Sequence, residues 1–381
     1  MHKNLMKIAG LSLTASASAI AMFAVTATPA AAETCILDDG VLPGFADGFD
    51  TNGGATDSGT STLACGVGAR AIGNSATAIG TQSDAVGLQT TAVGRLADAT
   101  ADFATAVGFG SEASGNSSTA LGTRARALMQ DAVAVGEDAL ANGVNSVAVG
   151  AESRALQAGA SAFGWRAMAT GERATALGHL AVASGVRSVA VGEGAVAAGA
   201  GNVAIGNLAA ASGNTATAVG NSAIAANIDA SSYGTGASAT GIASTALGSF
   251  ANAAGVNSTA LGQQASASAD GASAIGAYSN AGFINSTALG AGAMTTRINQ
   301  IVLGGAGSSV TIGDLGASTA AQSGTIYLAT TDASGTLGQG VTVSSLATAA
   351  DLATTNNNVA ANTAGIATNA AGIATNAGAI T

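Results

Sequence analysis

Few side chains in this 381-residue sequence could carry chemistry. Beyond the N-terminal segment there is a single histidine, His179, and the only cysteines are Cys35 and Cys65. No grouping of His, Cys and carboxylates has the spacing of a metal site. Gly66-Val67-Gly68 is glycine-rich but opens no helix, so it lacks the setting of a phosphate cradle. The Asp-containing, glycine-rich nonapeptides of calcium-binding rolls are absent. His179 follows a regularly recurring glycine at a variable turn position and reads as a surface residue. These observations support neither an enzyme nor a metal or organic cofactor. Phe109, Trp165 and Arg166 share an outward turn row, where the lone Trp165 is the side chain best suited to touch a partner.

The composition explains the scarcity. Glycine numbers 55 and charged residues make up only 8% of the chain, against about 25% in ordinary soluble domains. Aromatics are 3%, so a broad core has little to fill it. Disordered chains are rich in charge and proline, whereas this one has two prolines. Collagen is excluded by the missing Gly-X-Y register.

Residues 1–32 have the layout of a secretory signal peptide. Lys3 and Lys7 precede an uncharged, Ala/Ser-rich stretch over residues 8–25, and Ala30-Ala31-Ala32 supplies a cleavage site before Glu33. Its removal leaves nine arginines, no lysine and twenty-one acidic residues, a net charge of −12. An acidic chain with scattered arginines argues against nucleic acid and anionic membrane as partners.

An internal repeat organises what remains. Glycine recurs every fourteen residues from Gly66 to Gly304, eighteen times without insertion or deletion. Val, Ile or Leu precedes it in most copies, as in Val149, Ile205 and Leu261. A second glycine often falls halfway, as at Gly73 and Gly143. Each unit reads as two short strands and two tight turns. One strand ends at the anchor glycine, as in Ser146-Val147-Ala148-Val149; the other follows, as in Ser153-Arg154-Ala155. In the second strand small residues face inward and a variable residue (Arg70, Asp84, Glu112, Met168) faces outward. The first strand lacks charge on both faces, as a strand covered on both sides does. The expected architecture is an all-β solenoid, its coil lined by Ala, Ser and single Val or Leu side chains. Seventeen steps of about 4.8 Å give a rod of roughly 80 Å. So thin a core offsets little conformational entropy, so several copies are expected to pack side by side.

The run Asn145-Ser146-Val147-Ala148-Val149-Gly150-Ala151-Glu152-Ser153, with NSTALG at residues 257–262 and 285–290, resembles the head repeat of trimeric autotransporter adhesins of the YadA type. The resemblance spans about residues 64–304. It implies a left-handed parallel β-roll, a homotrimer, and display outside a Gram-negative cell. In that family the NSVAIGxxS pattern is associated with collagen-type matrix, which makes Asn145, Ser146, Val147, Ala148, Val149, Gly150 and Ser153 candidate contacts. The same run is also the repeat consensus.

The domain order expected is signal peptide (1–32), N-terminal cap (33–63), head (64–304), neck (305–345) and stalk start (346–381). In an exported chain, Cys35 and Cys65 point to an intrachain disulfide capping the first coil, with free thiols or links between chains as alternatives. The neck reads as short alternating runs around a turn at residues 332–335. In the stalk, Leu352, Val359, Ile366, Ile373 and Ile380 stand seven apart with Asn362, Asn369 and Asn376 at d, a coiled-coil seam. Gly365 and Gly372 weaken its helix propensity, which leaves a polar linker as the alternative. Val359-Ala360-Ala361-Asn362-Thr363 resembles the family's stalk motif, which implies that inward Asn amides hold a chloride-type anion on the trimer axis. The strands of a membrane-anchoring barrel are not found, and the heptad ends in mid-repeat at Thr381, so a fragment of a longer protein is expected. Functionally, the sequence suggests a surface adhesin that attaches multivalently to extracellular matrix such as collagen, to cells or to other bacteria. A passive rod or biofilm scaffold is the alternative; ice binding fits less well, because Thr alternates with Val and Ser three residues before the anchor.

Overall fold

The computed structural model describes residues 36–37, 54–310, 325, 327–333, 335–343, 346 and 349–380. The signal segment, Cys35 and most of the expected cap lie outside the described residues. The chain divides into two compact units, Met1–Ser309 and Val310–Thr381.

The first unit is a parallel β-solenoid of about eighteen coils. Each coil contributes a three-residue strand ending at the residue before the anchor glycine, such as Val147–Val149, and a two-residue strand four residues after it, such as Arg154–Ala155. Every strand pairs with its equivalents fourteen residues away: Val147 lies beside Val133 and Ser161, and Arg154 beside Leu140 and Met168. The first sheet runs from Leu63–Cys65 to Ile301–Leu303, the second from Thr56–Asp57 to Asn280–Ala281. Ahead of the first sheet, Ile36–Leu37 pairs antiparallel with Leu63–Cys65. At the far end the second sheet dwindles to one bridge, Asn280 to Met294. There Phe283 and Arg297 replace the half-coil glycine.

The interior corrects one expectation. Among the described residues no Val, Leu or Ile is fully buried in the coil; Val302, beside Ala288 in the last rung, packs partly against the interior. The core is alanine, such as Ala148, Ala155 and Ala162, interspersed with buried Ser, Thr and Asn202. The Val and Leu residues flanking the central alanine of the first strand, such as Val147, Val149 and Leu177, face outward. The inward strand positions are filled almost throughout by alanine, and the larger buried side chains Thr62, Thr90 and Asn202 sit just before the first strand, at the turn. Several inward hydroxyls are satisfied locally: the Oγ of Ser83, Ser153 and Ser279 each donates to the carbonyl of the anchor glycine three residues back, at 2.9, 2.7 and 2.8 Å, whereas the hydroxyls of Thr62, Ser118 and Ser258 are buried without a partner.

The turns follow a rule that glycine does not announce. At every seventh residue from Ser61 to Asn299 the backbone is left-handed, and most of these residues are not glycine; Leu96, Phe103, Arg124, Leu208 and Tyr278 are among them. The anchor glycines answer a different need. Gly150 has φ +125°, and a Cβ there would meet the Gly164 carbonyl oxygen of the next coil at 2.5 Å.

In the second unit, Tyr327–Thr331 and Leu337–Thr342 form an antiparallel hairpin with a register shift between Tyr327 and Ala329. The Gly335 amide closes the turn on the Asp332 carbonyl at 3.0 Å. A 32-residue helix, Ala349–Ile380, runs unbroken through Gly365 and Gly372. Asp351 lies in its first turn, where a carboxylate complements the helix dipole. Among the described residues no helix is long and apolar enough to cross a membrane.

Candidate ligand-binding surfaces

The solenoid turns sequence columns into surface rows, because residues fourteen apart become neighbours. In the candidate run 145–153, Asn145 is an exposed, left-handed turn residue with φ 56°. Asparagine tolerates that conformation better than most residues, which accounts for its recurrence at 257 and 285. Ser146 is fully buried, its Oγ accepting the Gly143 amide at 3.0 Å. Ala148 and Ser153 are fully buried too. A residue without exposed surface touches no partner, so of the candidate contacts in this run only Asn145, Val147 and Val149 offer side chains to one; Glu152, also exposed, is engaged by Arg166. Gly150 serves the turn.

Val147 and Val149 belong to the outward face of the first sheet, which carries no charged residue in any coil from Leu63 to Leu303. The remaining surfaces do. On the second sheet Arg70 meets Asp84 at 2.7 Å and Arg126 meets Glu112 at 2.9 Å. Asp98 stands between those two carboxylates in the same ladder. Partial burial, and then repulsion from Asp84 and Glu112, push its carboxyl above the usual range. On the first turn, Arg124 donates to Asp138 at 2.6 and 2.7 Å and holds that carboxyl below the usual range. On the second turn, the side chains of Asp102, Asn214 and Asp270 accept backbone amides of the preceding coil. These pairs were readable in advance: their partners stand fourteen residues apart in sequence.

Trp165 is 53% exposed on the first turn. Its ring stacks on His179 of the next coil, centroids 4.7 Å apart and planes 15° from parallel, with the Arg166 guanidinium 6.0 Å from its centroid. Arg166 pairs with Glu152 at 3.0 Å, and His179 Nδ1 lies 3.4 Å from Glu193. Phe109 stands elsewhere in the row, under Arg95 at 5.6 Å. The structure therefore groups Trp165 with Arg166 and separates both from Phe109.

Asn362, Asn369 and Asn376 lie exposed on the helix, each three residues after an exposed Val359, Ile366 or Ile373. Cys65 is disulfide-bonded; Cys35 lies outside the described residues. Among the described residues no group of His, Cys and carboxylates could hold a metal ion.

Parallel ladders, an alanine core, outward variable rows and a separate C-terminal helix define a repeat-built β-solenoid whose distinctive chemistry is all on its surface. The family described as YadA head domain repeat matches residues 58–83, 85–111, 99–125, 113–136, 127–153, 155–181, 169–195, 183–209, 239–265, 253–279 and 267–293. These matches cover more than half of the chain, which belongs to that family. Among solved structures, the collagen-binding domain of the Yersinia adhesin YadA is similar at 25% identity, covering 46% of this chain and 75% of that one, with a TM-score of 0.24. No curated protein sequence matches the chain.

Proposed function

We propose that the chain is the head and first stalk segment of an exported adhesin on the surface of a Gram-negative bacterium. Three copies assemble, and the assembly attaches through many weak contacts repeated along the head. Family membership supports the adhesin reading. The observation that carries the trimer is the uncharged first-sheet face, unbroken over eighteen coils while every other surface bears charge. An alanine interior buries little apolar area, and at about 25 cal/mol per Å² it leaves the ordering of the backbone poorly offset. Packing the Val, Leu and Ile rows of several copies together supplies what one coil lacks. The exposed heptad of Leu352, Val359, Ile366, Ile373 and Ile380 supports the same assembly, with Asn362, Asn369 and Asn376 directed at the axis, where amide N–H groups would hold a chloride-type anion.

The targets to test are matrix proteins such as collagen, and other bacteria bearing the same adhesin. Native mass measurement should give three chains for the wild type and one for a Val147→Lys, Val189→Lys double variant. A wild type that stays monomeric overturns the trimer. The trimer should be retained on immobilised collagen, fibronectin or laminin, or should make expressing cells aggregate. Failure on every count overturns the adhesin and leaves a passive spacer.

A further inference from the structure

The first turn changes character at Trp165. Moving from coil to coil, the row continues through His179, Glu193, Asn207 and Asn221, and these side chains are joined in a line. Trp165 stacks on His179, which faces Glu193; Asn207 Nδ2 donates to Glu193 at 3.3 Å, and Asn221 Nδ2 donates to Asn207 Oδ1 at 3.3 Å. The hydroxyl residues Thr235 and Ser249 follow in the same row. Beside them Phe250, 57% exposed, lays its ring over Gly236, two ring carbons standing 2.6 Å from where a Cβ would be. The rail is thus polar along its length and bears an exposed aromatic ring near each end. Six coil steps separate the two rings, about 29 Å at the spacing of adjacent strands.

We infer that this rail binds an extended, uncharged polysaccharide lying parallel to the solenoid axis. Aromatic rings offer the apolar surface on which a sugar's C–H face stacks. Carboxamides supply donors and acceptors together, which suits hydroxyls that are themselves both. Because the side chains already hydrogen-bond to one another, little rotamer entropy remains to be lost on binding. The charge pattern selects among glycans. Beyond Arg166, which Glu152 already pairs, Glu193 is the sole charged residue on this turn as far as Gly292, so the length of the rail offers no arginine or lysine to a sulfated or carboxylated polymer. A peptide ligand would want an open sheet edge or a side-chain pocket, and the convex outer turn of a ladder paired on both sides offers neither. The ion pairs on the same turn, Arg124 with Asp138 and Arg166 with Glu152, would be costly to bury between copies, which keeps this rim facing solvent in an assembly. The inference goes beyond attachment to matrix protein and stands on the rim alone.

The chain's only tryptophan sits at one end of the rail and serves as the probe. The full chain is titrated with β-1,4-linked glucose and N-acetylglucosamine oligosaccharides from dimer to hexamer, with heparin as the anionic comparison. The expected result is a saturable change in Trp165 fluorescence with at least one neutral series, tightening with length, and none with heparin. Phe250→Ala and an Asn207→Ala, Asn221→Ala double variant should each weaken hexamer binding by about tenfold, equivalent to about 1.4 kcal/mol. Their far-UV spectra should be unchanged, and Ile242→Ala on the opposite turn should bind as the wild type does. Absence of length-dependent binding, wild-type affinity in the rail variants, or preference for heparin overturns the inference. So does loss of matrix-protein attachment in Phe250→Ala that no oligosaccharide competes away, which would make the rim a protein contact. Intact attachment to matrix protein alongside no glycan binding would remove this inference and leave the adhesin standing.

Discussion

Gly150 and Asn145 show two ways a turn residue can be required. The anchor glycine combines φ +125° with a carbonyl 2.5 Å from its missing Cβ, so no substitution fits without moving the next coil. Its invariance through eighteen copies was visible in the sequence. The left-handed turn residue was not, because Phe, Leu, Arg and Asp fill it as often as Asn or Gly does, each at a conformational cost of roughly 1–2 kcal/mol. The ladder bonds of neighbouring coils impose that conformation, so residue type gives little sign of it. Charge acts at the same scale. Asp98 sits between Asp84 and Glu112, and burial and repulsion raise its affinity for protons in the folded state. Such a carboxyl contributes stability that is intact below its unfolded value and lost as pH rises through the folded one. Asp98→Asn should therefore raise the thermal midpoint near pH 7, and the difference should vanish below about pH 3, under the ordinary aspartate value. Thermal melts across that interval test it; equal gains at both ends would remove the electrostatic cause.

At the scale of the strand, position and period were readable, but the choice of face was not. Ser-Val-Ala-Val alternates small with larger apolar residues, and when neither face is charged, period-two patterning cannot say which lies inside. Volume decides: the space between the sheets admits alanine and serine, and Val147 and Val149 are turned out. The candidate run 145–153 suffered from the same ambiguity, since Ser146, Ala148 and Ser153, read as contacts, fill the interior. The exposed rail from Trp165 to Phe250 emerges only when the sequence is read in columns of fourteen and the turn geometry is known. The first strand makes its own prediction. Ile36 lies opposite Ala64 and Leu37 opposite Leu63, and in sequence Cys35 adjoins Ile36 as Cys65 adjoins Ala64. We propose that the two are joined within one chain. The unreduced mature protein should weigh two hydrogens less than the reduced form and yield a single cross-linked peptide containing both cysteines; interchain dimers under denaturing, non-reducing conditions would refute the pairing.

For the whole solenoid, the unit of tolerance is the coil. A repeat of this kind is a one-dimensional stack in which each coil contacts its neighbours, and every row depends on a fourteen-residue register. One residue added between Gly178 and Gly192 shifts inward alanines outward in every later coil unless a bulge absorbs it. A duplicate of residues 178–191 adds one more rung. The single insertion should lower the urea midpoint and open a protease-sensitive site there, while the duplication should leave both close to wild type; equal damage from the two would contradict the ladder. Charge is also distributed on this scale. From residue 194 to 304 only Asp229, Asp270 and Arg297 are charged, whereas the coils before them carry almost all the ion pairs. The strand Ile36–Leu37 has a consequence for growth. A parallel stack ends in a row of open backbone groups with the same polarity as every interior rung, which is a template for another copy to dock end-on and begin a fibre. Because Ile36–Leu37 runs antiparallel to the first rung, it reverses that polarity on the first sheet. The next chain finds no matching rung on that sheet.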